Sequence, residues 1–352
     1  MSKTNSGNFF EDFFLGRELV HATPRTVTLG DQALYTSLYG SRFALQSSDA
    51  FAQRSGLARS PVDDLLAFHV VFGKTVPDIS LNAIANLGYA ECRFGVPVYP
   101  SDSLSSTSQV IGLKENSNGK TGTVYVRSRG VNQNGETVLD YVRWVMVRKK
   151  DTSSPAPEPI VPDLAEKVAA DDLRVPQSLN FSDYDFSLAG APHCWDDYQV
   201  GEKIDHVDGM TIEEAEHQMA TRLYQNTAKV HFNNHVEREG RFGRRIIYGG
   251  HIISLARALS FNGLANGVKM IAINGGSHTA PSFAGDTIYA WSEVLEQIEV
   301  PGRVDLGALR LRTLACKDQA CSVFPDRGDD KKYDPSVVLD LDYTVLMPRR
   351  TT

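Results

Sequence analysis

The sequence predicts an α+β fold in which one domain occurs twice, each copy wrapping a curved antiparallel sheet around a long central helix. Three observations lead to this prediction. The chain has 352 residues, more than one compact core usually holds. Segments of the first half recur in the second half at a nearly constant spacing. Each half also contains one helical pattern that is apolar on most faces, followed by segments whose apolar residues alternate.

The repeat is clearest near the start of each copy. Residues 10–21, FEDFFLGRELVH, resemble residues 195–206, WDDYQVGEKIDH, at a spacing of 185 residues. Farther on, PVYPSDSL resembles PSFAGDTI at a spacing of 184, and the last strand-like segments match at a spacing of 200. Because the spacing grows, the second copy is predicted to contain an insertion near residues 315–333.

Domain boundaries follow from the repeat. Residues 1–150 are predicted to form the N-terminal copy and residues 181–352 the C-terminal copy. Residues 151–180 are predicted to form an extended linker, because the chain from residue 149 to residue 162 is rich in proline, serine and charge.

The predicted elements follow the same order in both copies. In the first copy, helices are expected at residues 31–39 and 61–72. In the second copy, a helix capped by Thr211 and a buried helix at residues 249–259 are expected. Alternating patterns predict the strands, which are residues 121–129, 141–148 and 337–346.

Composition excludes several classes of protein. The net charge is −7, which supports neither a nucleic-acid partner nor an anionic membrane surface. We find no run of eighteen apolar residues and no apolar signal-peptide segment near Met1, so a cytoplasmic protein is expected. Its cysteines are then expected to be reduced thiols; a metal site at Cys316 and Cys321 lacks a second pair of ligands nearby.

One segment resembles a family signature. Residues 223–231, LYQNTAKVH, are similar to the MaoC-like, or hydratase 2, signature, which runs from an aromatic residue through Gly, Asp, Asn and Pro to an aliphatic residue and His. Tyr224, Val230 and His231 fit this pattern. Asn226 stands where the family has its catalytic Asp, and the glycine and proline of the signature are missing. In the first copy, Ser41 and Gln46 replace the Asp and the His.

The resemblance implies a double hotdog fold and an acyl-CoA hydratase, a hydro-lyase that needs no cofactor beyond the coenzyme A of its substrate. It also implies a homo-oligomer and an enoyl-CoA substrate whose acyl group has a second carboxylate. Two alternatives remain open: a hotdog thioesterase, and an acyl-CoA-binding protein without catalytic activity. The degenerate first copy would suit the latter, whereas His231 argues for an enzyme.

Hydration chemistry indicates roles for particular residues. Imidazole titrates near neutral pH, so His231 is the predicted base that activates water, with Asn226 orienting that water. Backbone N–H groups of Gly249 and Gly250, at the start of a buried helix, are predicted to bind the thioester oxygen. The alternative is that these two glycines serve chain geometry alone.

Arginines are the expected ligands of the anionic parts of the substrate. Arg222 and Arg42 flank the two signature segments and are candidates for the substrate carboxylate. Arg241, Arg244 and Arg245 are candidates for the phosphates of coenzyme A. Most surface arginines have neither function, so each assignment competes with an ordinary surface role.

The remaining histidines have weaker claims. His231 and His235 could share a metal ion, but no third ligand is evident, and no metal is predicted. His21 and His206 occupy equivalent places in the two copies, which favours a structural role. His251 is expected to make a local hydrogen bond at a helix start, and His278 is a weak candidate for lining the thioester tunnel.

Overall fold

The computed structural model describes residues 3–320 and 322–350, and in this part of the chain the strands form one antiparallel sheet. The strands are β1 (Glu18–Thr26), β2 (Ala83–Phe94), β3 (Ser103–Glu115), β4 (Thr121–Val131), β5 (Thr137–Arg148), β6 (Lys203–Thr211), β7 (Lys269–Ser277), β8 (Thr287–Glu299), β9 (Leu306–Lys317) and β10 (Val337–Pro348). Their order in the sheet is β1-β3-β4-β5-β2-β7-β10-β9-β8-β6.

The helices lie between these strands. They are α1 (Leu29–Tyr39), α2 (Ala44–Ser47), α3 (Asp49–Arg54), α4 (Asp64–Thr75), α5 (Phe186–Ala189), α6 (Glu214–Leu223), α7 (Lys229–Phe232), α8 (Asn234–Glu237), α9 (Gly249–Leu259) and α10 (Phe261–Leu264). A π-helical turn (Val76–Ser80) follows α4, and short 3₁₀ turns occupy Phe10–Asp12, Ala170–Asp172 and Trp195–Asp197.

The strand order shows a pseudo-two-fold arrangement of two copies. Strands β1 to β5 repeat as β6 to β10 in mirrored sheet order, and the copies join where β2 pairs with β7. That central ladder is short and runs from Arg93 opposite Ala272 to Tyr89 opposite Gly276. The α+β prediction of a repeated domain is therefore confirmed, and the sheets of the two copies form one continuous surface.

The two central helices account for the core. Nearly every residue of α4 and of α9 is buried, as expected of helices that are apolar on most faces. One hydrophobic cluster contains residues of both helices and of both halves of the sheet. The copies therefore share a core, and groups from one copy can reach the site of the other.

Three predicted helix starts are wrong. Helix α1 begins at Leu29 and not at residue 31, because the Thr28 side chain accepts the Asp31 N–H at 3.1 Å and caps the helix there. Helix α4 begins at Asp64 and not at Pro61, because the Asp63 side chain accepts the Leu65 N–H at 2.9 Å and ends the preceding extended segment. Thr211 does not cap α6, because it is the last residue of β6. The N-cap of α6 is Glu213, whose side chain makes no capping hydrogen bond.

The insertion and the linker are both in contact with the sheet. Residues 318–336 separate β9 from β10, so the insertion begins three residues later than predicted and leaves Ala315 within β9. In the linker, Ile160 pairs with Leu113 of β3. Near its end, Leu179 joins a buried cluster with residues of the second copy. The predicted linker therefore packs on both copies.

Among the described residues, no helix has both the length and the apolar character to cross a bilayer. Cys92 and Cys194 are buried thiols outside any disulfide. Cys316 is buried in β9, whereas Cys321 lies outside the described residues, so the pairing of these two stays untested.

Candidate active site

The signature segment of the second copy is held by the first copy. Helix α6 ends at Leu223, and Gln225 adopts a left-handed backbone conformation with φ of 54°, which turns the chain back. The turn packs against Gly73 of α4, where a Cβ atom would overlap the Tyr224 carbonyl. Lys74, the next residue of α4, donates a hydrogen bond to the Gln225 side chain. The first copy thus positions the chain that leads to His231.

His231 is prepared to accept a proton. It lies on the short helix α7, and its Nδ1–H donates to the Ile246 carbonyl at 3.0 Å. That bond fixes the tautomer in which Nε2 has a free lone pair. Burial lowers the pKa of His231 to about 4, so the ring is neutral near pH 7. A neutral imidazole with an available Nε2 is the form that a general base requires.

The start of α9 lies near the imidazole of His231: the ring of Tyr248, the N-cap residue of α9, is 5.6 Å from the His231 ring. Gly249 and Gly250 are its first two residues, so their N–H groups have no acceptor within the helix. A Cβ atom at Gly249 would overlap the imidazole of His278, and one at Gly250 would overlap the rings of Tyr248 and His69. Neither glycine has a positive φ, so close packing, and not chain geometry, excludes a side chain here.

His217 supports the same helix start. Its Nε2 accepts the backbone N–H of Tyr248 at 2.9 Å, immediately before Gly249. Its ring lies 6.2 Å from that of His231, and burial lowers its pKa to about 2. No sequence pattern distinguishes His217, because a histidine on an amphipathic helix is most simply a surface or core residue.

A buried polar network joins the copies at the pseudo-two-fold axis. The equivalent hydroxyls of Tyr39 and Tyr224 lie 2.7 Å apart, and the Tyr39 hydroxyl also lies 2.8 Å from Nδ1 of His251. His69 pairs with its equivalent, Ser254, at 2.9 Å. The hydrogen bond of His251 therefore crosses between the copies and is not the local one that was expected.

Asn226 is buried beside this network. Its Oδ1 accepts the Ala228 N–H at 3.2 Å, in the turn that precedes α7. The amide therefore stabilises the turn that leads into α7 and His231. This contact is compatible with a capping role, and orientation of water by the amide remains a prediction.

The three arginines considered for the phosphates of coenzyme A differ in their partners. Arg245 donates to Gln218 and forms an ion pair with Glu214 at 2.7 Å. Arg244 is exposed, with its guanidinium 3.9 Å from the centre of the Phe283 ring. Arg241 likewise contacts a ring, that of Phe242, at 5.0 Å.

The two arginines that flank the signature segments differ in position. Arg222 is exposed on the last turn of α6, two residues before Tyr224. The Arg42 guanidinium lies 4.5 Å from the ring of Phe261. Phe261 follows the far end of α9, about 15 Å from Gly249 along the helix. This position does not support Arg42 as a ligand near His231.

The equivalent region of the first copy is closed. Gln46, in the place of His231, donates to the Val268 carbonyl at 3.0 Å, and Ser41 donates to Asp63 at 3.2 Å. The cavity that they line has a volume of about 10 Å³, enough for roughly one water molecule. In this copy an amide takes the place of the histidine, and Asp63 already accepts the Leu65 N–H at the helix start.

Other histidines have structural partners. His21 bonds to Asp78 and Ser108, and its counterpart His206 bonds to the Asn262 carbonyl and Ser292. His235 is exposed on α8. Within residues 3–320 and 322–350, no three His, Cys, Asp or Glu side chains are grouped as metal ligands.

The buried histidines predict acid-sensitive stability. Burial lowers the pKa of His21 and of six other histidines: to about 4 for His206, His231 and His278, to about 3 for His69 and His251, and to about 2 for His217. Unfolding therefore takes up protons, and the free energy of unfolding should fall as the pH drops from about 6.5 toward 4. Asp63, with a pKa raised by burial to about 6, opposes this by one proton. Thermal unfolding from pH 7.5 to 4.5 tests this; a melting temperature that stays constant or rises below pH 6.5 would contradict it.

Comparisons with known proteins agree on a family. A family model described as mesaconyl-CoA hydratase matches residues 1–329. The chain is 69% identical over 349 residues to a β-methylmalyl-CoA dehydratase of Chloroflexus aurantiacus, covering 99% of both chains. It is 62% identical to a mesaconyl-CoA hydratase of Cereibacter sphaeroides, covering 99% of this chain and 100% of the relative.

Solved structures show the same likeness. A MaoC domain protein dehydratase from Chloroflexus aurantiacus superposes with a TM-score of 0.98 over both full chains, at 69% identity. A double hotdog protein from Mycobacterium tuberculosis superposes with a TM-score of 0.77 at 25% identity, covering 98% of this chain and 99% of that one. The double hotdog prediction is therefore confirmed.

Proposed function

The chain belongs to the mesaconyl-CoA hydratase family, and we propose that it reversibly adds water to mesaconyl-CoA, giving β-methylmalyl-CoA, at one site around His231. The enzyme is a hydro-lyase. The observation that carries the assignment of the site is the fixed tautomer of His231, whose Nε2 is available near a helix start with free N–H groups.

The chemistry follows from this geometry. Nε2 of His231 takes a proton from water, and the water oxygen bonds to the β-carbon of the enoyl thioester. The negative charge that develops on the thioester oxygen is stabilised by the N–H groups of Gly249 and Gly250. The imidazolium then returns its proton to the α-carbon, so the enzyme ends in its starting state. Dehydration runs through the same steps in reverse.

The site favours hydration over thioester hydrolysis. A thioesterase needs water aimed at the carbonyl carbon, usually beside a carboxylate. Burial lowers the pKa of His231 and the hydrogen bond to the Ile246 carbonyl raises it, and within the described part of the chain no carboxylate contributes to this pKa. The neighbouring side chains named above are His217, Tyr248 and His278, and none of these is acidic.

A spectroscopic assay tests the proposed function. Mesaconyl-CoA is mixed with the protein while absorbance of the conjugated thioester and release of free thiol are recorded together. Loss of absorbance without free thiol is the expected result. Release of free thiol would mean hydrolysis, and an unchanged spectrum with bound ligand would mean a binding protein; either outcome would overturn the proposal.

Asn226 should favour an anionic acyl group. The free carboxylate of mesaconyl-CoA is on the carbon that receives the hydroxyl. A protein carboxylate 4 Å away would repel it by about 4 kcal/mol at an effective dielectric constant near 20. Asn226→Asp should therefore lower the ratio of kcat/KM for mesaconyl-CoA to that for uncharged crotonyl-CoA, by at least about tenfold.

The effect of Asn226→Asp on the substrate ratio can be separated from an effect on the fold. An aspartate oxygen can accept the Ala228 N–H as Oδ1 of Asn226 does, so the turn should persist. Asn118→Asp is the matched control, because Asn118 caps an exposed turn of the first copy and the net charge changes equally. The charge argument fails if Asn226→Asp leaves the substrate ratio unchanged or shifts it toward mesaconyl-CoA.

The remaining features belong to the same proposal. Arg222 is the better candidate for the substrate carboxylate, and the exposed Arg244 for the phosphates of coenzyme A, since Arg245 is already paired. The reaction needs no cofactor beyond substrate coenzyme A. A homo-oligomer acting in the cytoplasm, in the ethylmalonyl-CoA pathway, is the accompanying expectation.

A further inference from the structure

His278 lies beside the helix start but has no part in the mechanism given above. It follows the end of β7, and its ring covers Gly249 so closely that a Cβ atom there would overlap Nε2, Cε1 and Cδ2. The edge of the ring that contains Nε2 therefore faces the first residue of α9. A hydrogen-bond donor at Nε2 would lie next to the N–H group expected to bind the thioester oxygen.

The first copy supplies the partner of this histidine. Tyr89 of β2 is buried, and its hydroxyl lies 3.4 Å from Nε2 of His278, with the two rings nearly perpendicular at 86°. Tyr89 and Gly276 are also the last paired residues of the central ladder. The pairing of β2 with β7 ends here, so Tyr89 and His278 lie next to each other at the end of the ladder that joins the two copies.

The protonation state of the His278 ring allows it to donate a hydrogen bond. Burial lowers the pKa of His278 to about 4, and repulsion from His231 in its protonated form makes a smaller contribution in the same direction. The imidazole of His278 is therefore neutral near pH 7 and has one N–H. At 3.4 Å the contact with Tyr89 is long for a hydrogen bond, so an N–H at Nε2 is free to form a shorter bond with a better acceptor.

We propose that His278 is a catalytic residue whose Nε2–H donates a hydrogen bond to the thioester oxygen at the start of α9, and that Tyr89 of the first copy holds its ring in place. The inference rests on the proposed function. The bond strengthens as the oxygen becomes an enolate, and no proton is transferred, so the proton balance between water, His231 and the α-carbon is unchanged. The first copy then contributes to catalysis and is more than a wall of the tunnel.

Variants at position 278 test the assignment through the rate. His278→Ala should lower kcat by about a hundredfold, the scale for loss of one donor to an oxyanion, with a smaller change in KM. His278→Gln should keep more activity than alanine, because its amide N–H can reach the place of Nε2. Tyr89→Phe should cost only several-fold. His235→Ala is the matched control, because His235 is exposed and lies outside the site.

A vibrational measurement separates a donor from a packing residue. Mesaconyl-CoA labelled with ¹³C at the thioester carbonyl is bound to the His231→Ala protein, and the spectrum is recorded before the slowed turnover consumes the substrate. The carbonyl stretch should move to lower frequency than in water, and adding His278→Ala should remove part of that shift. His278→Gln should restore part of it.

The outcomes distinguish this inference from the function on which it rests. If the intact protein does not hydrate mesaconyl-CoA, the proposed function fails and the inference fails with it. If the intact protein hydrates mesaconyl-CoA but His278→Ala keeps both kcat and the carbonyl shift, the role of His278 alone is overturned. Equal losses in the alanine and glutamine variants, with no change in the carbonyl shift, would also overturn it.

Discussion

Replacement of His231 by alanine is expected to lower kcat for mesaconyl-CoA hydration by at least about a hundredfold, the usual scale for loss of a general base. The reason is geometric. The hydrogen bond from Nδ1 to the Ile246 carbonyl leaves Nε2 as the proton acceptor, and the neutral ring needs no prior deprotonation. Steady-state kinetics together with thermal unfolding would separate loss of catalysis from loss of fold.

Gln46 provides the matched control for this prediction, because it occupies the place of His231 in the first copy. Its side chain bonds to the Val268 carbonyl beside a cavity that holds about one water molecule. Gln46→Ala should therefore change kcat much less than His231→Ala. Equal losses from the two substitutions would count against a single site in the second copy.

Gly249→Ala should lower kcat by a similar factor, about a hundredfold. A Cβ atom at this position would overlap the imidazole of His278, and that ring would have to move. The methyl group would also occupy space beside the first N–H groups of α9, where the thioester oxygen is expected. Because the displaced group is the end of a side chain and not backbone, the fold should survive while the site is damaged.

Gly275→Ala is the corresponding control for Gly249→Ala. Gly275 belongs to β7, and a Cβ atom there would meet nothing within 4 Å. It should leave kcat close to that of the unaltered protein. If Gly249→Ala is as active as Gly275→Ala, the helix start is not where the thioester binds.

Much of the architecture was predictable because the repeat carries long-range information. The strands β1 and β6, and likewise β5 and β10, recur at the spacings found in the sequence. Helix α9 was placed correctly at Gly249, because the glycine pair begins the apolar segment. The start of α4 was predicted three residues too early, at Pro61, because proline is common in the first turn of a helix. Asp63 and Asp64 both suit a cap, and the structure uses Asp63.

The site was only partly predictable, because its contacts cross between the copies. His231 was identified from its position in the signature segment. His217 and Tyr89 were missed, and His278 was given little weight, since each gains its place from a partner far along the chain. No periodicity reports that Tyr89 of β2 meets the end of β7. The arginines were uncertain for a related reason, because surface ion pairs such as Arg245 with Glu214 have no sequence signature.

The most direct test of a single site is the binding stoichiometry. Mesaconyl-CoA can be titrated calorimetrically into the His231→Ala protein, which should bind the substrate and hydrate it at least about a hundredfold more slowly. We expect one molecule of mesaconyl-CoA per chain, because the first copy has Gln46 in place of the base, a cavity of about 10 Å³ and a helix start bonded to Asp63. Two equivalent molecules per chain would contradict the account.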